Sequence, residues 1–152
     1  MLIREHFPQL LSWDLKLVAT DISGRILERA RQGRFSQLEI NRGLPARLLA
    51  RYFAAKNGEW EISAELRRLV TFRQMNLASG PWTEISGVDV VFLRNVLIYF
   101  EVPVKSRILG QARRAMRRDG YLILGSAETT LNLDDHFERV QIGNSHWYRQ
   151  KA

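Results

Sequence analysis

Three segments of the sequence place polar side chains directly after a run that predicts a buried strand, and these residues could bind a ligand. In the first segment, Asp21 follows the mostly apolar residues 16–20 (KLVAT). In a parallel sheet that is covered by helices, the carboxyl ends of the strands face the ligand crevice. A carboxylate there can accept hydrogen bonds from both hydroxyls of a ribose. The alternative is that Asp21 only caps the helix that follows.

The second segment is the pair Asn76 and Leu77, which follows a strand predicted over residues 70–75. The amide of Asn76 can both donate a hydrogen bond to the edge of an adenine base and accept one from it. Leu77 could pack on the face of the same base. Asparagine is also common where a strand simply ends, so both interpretations stay open.

The third segment is FLRNVLIYF, residues 92–100, at the end of a strand predicted over residues 88–93. Leu93 ends that strand, Arg94 follows it, and Tyr99 begins an aromatic pair a few residues later. An arginine beside a strand end and an aromatic pair close by indicate a ligand site. The alternatives are that Arg94 lies on a surface turn and that Tyr99 packs in the core.

Strands and helices must alternate along the chain to position these segments. Ser23 can cap a helix and Gly33 can end it, and Asp119-Gly120 is expected to stop a later amphipathic helix. The predicted helices cover residues 24–32, 45–53 and 103–118, and the predicted buried strands cover 16–20, 70–75, 88–93 and 121–125. This alternation predicts an α/β fold with a mainly parallel sheet.

Two further β elements are predicted from turn residues. Asn57-Gly58 indicates a tight hairpin turn within a small β insert over about residues 34–73. Residues 136–141 and 145–150 alternate around Gly143-Asn144 and predict a terminal antiparallel hairpin.

Composition limits the classes of function. The 152 residues carry a net charge of +7, and 19 of the 23 basic residues are arginine. Because these arginines are spread along the chain, an acidic protein partner is favoured over nucleic acid. The chain has no cysteine, which excludes disulfides, thiolate metal sites and cysteine nucleophiles and fits a cytoplasmic protein. No metal site and no membrane insertion are predicted.

Four segments, in this order and at this spacing, resemble the CheR-type chemotaxis receptor methyltransferases. They are ATDIS at 19–23, NL at 76–77, LRNVLIYF at 93–100 and DGYLILGSAE at 119–128. The resemblance covers nearly the whole chain. It implies a Rossmann-like methyltransferase fold in which residues 1–152 are a partial catalytic domain and 34–73 form the family's small β-subdomain.

The resemblance also implies an activity. S-adenosylmethionine would donate a methyl group to glutamate carboxylates on the cytoplasmic helices of chemoreceptors, leaving S-adenosylhomocysteine. The implied cofactor contacts are Asp21 at the ribose, Asn76 and Leu77 at the adenine, and Leu93 and Arg94 along the cofactor and methyl-transfer site. Tyr99 would lie close to the transferred methyl group, and Arg94 and Tyr99 are the implied catalytic residues.

These residue types suit the reaction. A glutamate has a reference pKa of about 4.3, so its carboxylate is already a nucleophile at neutral pH and needs no general base. The enzyme must instead hold the carboxylate oxygen, the methyl carbon and the sulfur in line. Arg94 could orient the incoming carboxylate, and Tyr99 could form a hydrogen bond near it.

The sequence departs from the family in two places. Family members begin with a helical domain and then a first strand that ends in a Gly-rich, acidic segment, and neither is recognisable here. The compact hairpin around Asn57-Gly58 also argues against binding of a receptor-tail peptide by strand addition. The alternative function is therefore an inactive remnant that acts as a protein-interaction or regulatory module.

The first strand of the family's sheet is not recognisable in this sequence, and this leads to a testable expectation. In the family's sheet that strand lies between the strands at 16–20 and 88–93, so its loss exposes unpaired backbone groups at about 1–3 kcal/mol each. We expect the chain to self-associate through the unpaired sheet centre, since direct closure would require the helix at 24–32 to repack. Light scattering at low micromolar concentration checks this. A stable monomer with sharp, cooperative unfolding would contradict it.

Overall fold

The computed structural model describes residues 1–151. The chain forms two compact units, one up to Asn76 and the other from Leu77 onward. Among the described residues, no helix has the length and apolar character needed to cross a membrane.

The first unit combines a parallel strand pair with a small antiparallel sheet. Its helices are α1 (Leu2–His6), α2 (Gly24–Gln32), α3 (Gln37–Ile40), α4 (Ala46–Tyr52) and α5 (Ala64–Arg67), with a 3-10 turn at Pro8–Ser12. Its strands are β1 (Leu17–Asp21), β2 (Arg34–Phe35), β3 (Phe53–Lys56), β4 (Glu59–Ile62) and β5 (Val70–Gln74).

Helix α2 follows β1 and has the ends that the sequence predicts. The Ser23 side chain accepts a hydrogen bond from the backbone N–H of Ile26, which caps the amino end. Gly33 ends the helix in the left-handed conformation at φ 64°. A Cβ at Gly33 would lie 2.6 Å from Arg67 Cδ and 2.7 Å from Ile62 Cγ2, so any larger residue there would force these side chains to move. Strands β1 and β5 then pair in parallel, with Leu17 opposite Val70 and Asp21 opposite Gln74.

The small antiparallel sheet has the strand order β2-β4-β3. Asn57 and Gly58 both have positive φ, at 51° and 79°, and connect β3 to β4 by the predicted tight turn. The sheet is joined to a core of Leu48, Tyr52 and Leu66 through Phe53 and Ile62, which pack against that core. The small β insert is thus confirmed, and the insert boundaries of about 34–73 stay a prediction.

The second unit is a four-stranded sheet with one long helix. Its strands are β6 (Val88–Leu93), β7 (Met116–Leu124), β8 (Phe137–Ile142) and β9 (Ser145–Gln150), and its helices are a 3-10 turn (Leu97–Tyr99) and α6 (Val102–Ala115). The strand order is β6-β7-β9-β8, with β6 and β7 parallel and the terminal hairpin antiparallel. The α/β class and the terminal hairpin are therefore confirmed.

The core of the second unit lies between α6 and the sheet. Ile108, Leu109 and Leu122 have no exposed surface, and Leu93 and Leu97 are also buried there. The two leucines belong to the third polar segment of the sequence. Burial of these two apolar side chains anchors that segment in the core. Burying a leucine side chain fully stabilises the fold by about 1.5–3 kcal/mol relative to leaving it exposed.

The predicted end of the long helix is wrong. The helix was expected to run to residue 118 and stop at Asp119-Gly120, but it ends at Ala115 and Met116 begins β7. Met116 pairs with Val88, and the register then shifts so that Val90 faces Tyr121. A Cβ at Gly120 would lie 2.9 Å from the carbonyl oxygen of Val88, so this glycine permits the close approach of the two strands.

Candidate functional site

Asp21 and Asn76 follow the two paired strands of the first unit. The backbone N–H of Met75 donates to the carbonyl oxygen of Asp21 at 2.9 Å, which extends the pairing of β1 and β5 past Gln74. The two predicted contact residues for adenosine therefore come from the same end of one parallel strand pair. This is the end at which ligands bind in parallel sheets.

The Asp21 carboxylate is partly buried and held in one orientation. Its Oδ1 accepts a hydrogen bond from the backbone N–H of Ser23 at 2.7 Å. The loop is fixed again by Gln74, whose side-chain amide donates to the carbonyl oxygen of Ile22 at 2.9 Å. The contact with Ser23 is an Asx turn, and the N-cap of α2 is Ser23, so the interpretation of Asp21 as the helix cap is wrong.

The other predicted site residues belong to the second unit. Leu93 is buried and pairs with Leu124, whereas Arg94 follows it and is exposed. Tyr99 is 79% exposed, so the alternative that it packs in the core is wrong. Leu77 is partly buried, packs against the core of this unit and accepts a hydrogen bond at its carbonyl from the Trp82 indole at 3.3 Å.

A carboxylate that the sequence analysis assigned no role organises this part of the second unit. Glu128 Oε1 accepts hydrogen bonds from the backbone N–H groups of Val96 and Leu97 at 2.8 and 2.7 Å. Its Oε2 accepts from the backbone N–H groups of Asn95 and Gly125, both at 2.7 Å. One side chain therefore ties the segment after β6 to the segment after β7.

Special backbone positions at Asn95 and Gly125 bring their N–H groups to the Glu128 carboxylate. Asn95 adopts a left-handed conformation at φ 56°, which turns its N–H toward the carboxylate. A Cβ at Gly125 would lie 2.5 Å from Asn95 Oδ1 and 2.6 Å from Glu128 Oε2. Glycine at position 125 is consequently required for the carboxylate to reach both strand ends.

The four hydrogen bonds set the charge of Glu128. Burial of the carboxylate raises its pKa, but the backbone N–H groups of Gly125, Asn95, Val96 and Leu97 lower it by more. The pKa of Glu128 therefore lies below its usual value, and the side chain is ionised at neutral pH.

Comparison with known proteins assigns the family. Residues 1–145 match the family described as CheR methyltransferase, SAM binding domain, where SAM is S-adenosylmethionine. The chain belongs to the CheR family. The chain is also 41% identical over 138 residues to chemotaxis protein methyltransferase 1 of Pseudomonas aeruginosa, covering 90% of this chain and 50% of that protein. It is 35% identical over 150 residues to chemotaxis protein methyltransferase 1 of Vibrio cholerae, covering 98% of this chain and 54% of that protein.

The CheR-family chain thus spans about half the length of these relatives. Its fold is shared with a solved structure, a TehB-like SAM-dependent methyltransferase from Corynebacterium glutamicum, at a TM-score of 0.56 and 11% identity. That match covers 90% of this chain and 68% of the other chain, and it supports the Rossmann-like fold.

SAM is the cofactor of the matched CheR domain. The Asp21 carboxylate at the end of β1 fits the adenosine half of that cofactor, because Ser23 orients it and ribose hydroxyls need an acceptor of this kind. Among residues 1–151, no group of acidic and histidine side chains is arranged to hold a metal ion.

Sequence reasoning named the segment that contains Glu128 but missed the role of the residue. The signal was present: an acidic residue shortly after a buried strand, as with Asp21. What the sequence does not show is that three of the four partners of Glu128 lie 31 to 33 residues earlier, in the segment after β6.

Replacement of Glu128 by glutamine should destabilise the second unit. The amide group would place its own N–H donors against backbone N–H groups, and we expect a loss of about 2–3 kcal/mol in the free energy of unfolding. Urea unfolding followed by tryptophan fluorescence measures this loss. Asp135→Asn is the control, since Asp135 is exposed and the substitution removes the same charge.

The lowered pKa of Glu128 predicts that the effect of Glu128→Gln on stability depends on pH. Because the folded pKa of Glu128 is depressed, its contribution to stability is complete above the unfolded pKa of about 4.3 and is lost as pH falls through the lower folded pKa. The stability difference between the unaltered chain and Glu128→Gln should therefore shrink in acid. An equal difference at pH 7 and in strong acid would show that the carboxylate charge is not what holds the two segments.

Proposed function

We propose that this chain is the SAM-binding part of an enzyme that methylates glutamate carboxylates of chemoreceptors. Family membership carries the proposal, since residues 1–145 match the CheR domain and the curated relatives are named chemotaxis methyltransferases. The geometry supports it in each unit: Asp21 and Asn76 follow paired parallel strands, and Glu128 holds the Arg94–Tyr99 segment in place.

Each residue of the proposed site either binds the cofactor or lines the methyl-transfer site. SAM supplies an electrophilic methyl group when it is bound. Asp21 would accept hydrogen bonds from the ribose hydroxyls, Asn76 would bind the adenine edge and Leu77 would pack on the base. Leu93 and Arg94 would line the methyl-transfer site.

Catalysis then requires positioning rather than proton transfer. A glutamate carboxylate is ionised at neutral pH, so the nucleophile is formed without a base. The Arg94 guanidinium is exposed and could hold one carboxylate oxygen, leaving the other to attack. The hydroxyl of Tyr99 is available for a hydrogen bond at the same step, because the side chain is 79% exposed.

Chemoreceptor helices are the proposed partner, and the cytoplasm is the proposed compartment. The net charge of +7 favours an acidic protein substrate, and the relatives are named for chemotaxis. The alternative, an inactive remnant that only binds other proteins, is less favoured because those relatives are methyltransferases.

Asp21 should control cofactor affinity. We expect Asp21→Ala to weaken binding of S-adenosylhomocysteine by about 1.5–3 kcal/mol, the range for a lost hydrogen bond to a charged group. Asp21→Asn is the matched variant, since its amide oxygen can still accept from the Ser23 N–H while the charge is removed. Calorimetry on the natural polypeptide that contains this chain measures both. Unchanged affinity in both variants would show that Asp21 only orders the loop before α2.

Arg94 and Tyr99 should affect methyl transfer more than stability. Both side chains are exposed, so Arg94→Ala and Tyr99→Phe should unfold at nearly the same denaturant concentration as the unaltered protein. Transfer of labelled methyl groups to a receptor fragment should fall by at least about tenfold, the effect of about 1.4 kcal/mol on the barrier. A loss of activity that only follows a loss of stability would assign both residues a structural role.

A further inference from the structure

The second unit contains an open cleft of about 580 Å³ beside the carboxyl end of β7. It begins at Arg94 and runs past the Glu128 segment to the terminal hairpin, where Arg139, His146 and Tyr148 line it. This volume lies within the range of about 300–1,000 Å³ that ligand sites have. The cleft can therefore hold a few residues of an extended or helical segment.

Strand register places the hairpin residues of the cleft on one face. Arg139 of β8 pairs with Tyr148 of β9, and His146 lies two residues before Tyr148. Residues two apart in a strand point to the same face, and directly paired residues share a face. Arg139, His146 and Tyr148 consequently form one side of the cleft, with Arg94 at its other end.

The cleft is positively charged. Arg94 and Arg139 are both exposed, and neither guanidinium forms a hydrogen bond or an ion pair with any residue in the described range 1–151. The only acidic side chain among the described lining residues is Glu128, whose two oxygens are occupied by four backbone N–H groups. Two guanidinium groups therefore face an open space without a carboxylate partner.

We propose that this cleft binds the acidic segment that carries the methyl-accepting glutamate. The inference rests on the proposed function, because Arg94 is the residue expected to orient that glutamate. Arg139 and His146 would then contact carboxylates that neighbour the acceptor and so select acidic sequence around it. Continuity with Arg94 favours an acidic peptide over a nucleic acid as the occupant.

Peptide affinity tests the cleft independently of turnover. The probe is a fluorescein-labelled, alanine-rich peptide of about 15 residues that contains several glutamates, a length at which helices begin to form in water. Its counterpart has glutamine at the same positions. Anisotropy should show binding of the glutamate peptide that weakens with salt. Arg139→Gln should reduce that affinity about fivefold to tenfold, His146→Gln should reduce it less, and Arg139→Lys should restore most of it.

Arg118→Gln is the matched control. Arg118 is exposed, forms no ion pair within residues 1–151 and does not line the cleft, so the substitution removes the same charge from the same unit. Equal affinities for Arg139→Gln and Arg118→Gln would overturn the inference. So would equal binding of the glutamate and glutamine peptides, or tighter binding of a single-stranded oligonucleotide that is lost in Arg139→Gln alone.

Methyl transfer to the same peptide separates this inference from the proposed function. If the natural polypeptide methylates the peptide but Arg139→Gln leaves KM unchanged, the cleft assignment is wrong and the proposed function stands. If the peptide binds in the cleft with the expected variant pattern but no carboxylate is methylated, the proposed function is wrong and the acidic-peptide site stands.

Discussion

Four backbone N–H groups converge on the carboxylate of Glu128, and the arrangement of the second unit depends on this contact. Asn95, Val96 and Leu97 come from the segment after β6, and Gly125 comes from the segment after β7. Three of these N–H groups, those of Val96, Leu97 and Gly125, form partly buried contacts, and a buried N–H left unpaired costs about 1–3 kcal/mol. By pairing them with one charge, the protein connects two parallel strands where no hydrogen-bond ladder remains.

That connection decides where the proposed catalytic side chains lie. Because Asn95 and Leu97 are held at the backbone, and Leu97 is also buried in the core, the neighbouring residues Arg94 and Tyr99 project outward. Exposed side chains on a fixed backbone can contact a large partner without a large loss of backbone conformational entropy. This is the condition for a reaction that depends on alignment of the reacting atoms.

The first unit uses a carboxylate in a related way at the end of β1. Asp21 accepts only one backbone N–H, that of Ser23, and its loop is held by Gln74. Glu128 is thus occupied by the protein, whereas Asp21 accepts a single contact and suits a ligand. Glu128, with four backbone donors, organises the fold, whereas Asp21, with one, is proposed to bind ribose.

Elements whose signals are local follow from the sequence alone. Helix α2 needed only Ser23 and Gly33 at its ends, the β3–β4 turn needed Asn57-Gly58, and the terminal hairpin followed from alternating residues around one turn. These signals act within a few residues, so a sequence pattern contains them. The resemblance of four segments to the CheR family also identified the family and the candidate site residues.

Features that depend on distant partners emerge only in the folded chain. Helix α6 ends at Ala115 because Met116 pairs with Val88, a strand residue that helical periodicity cannot reveal. Glu128 acts on N–H groups more than 30 residues away, and its access requires a glycine at position 125. The cleft joins Arg94 to Arg139 only because β6 and the terminal hairpin belong to one sheet. Each of these contacts arises when strands come together, and strand pairing is not written in any single segment of the chain.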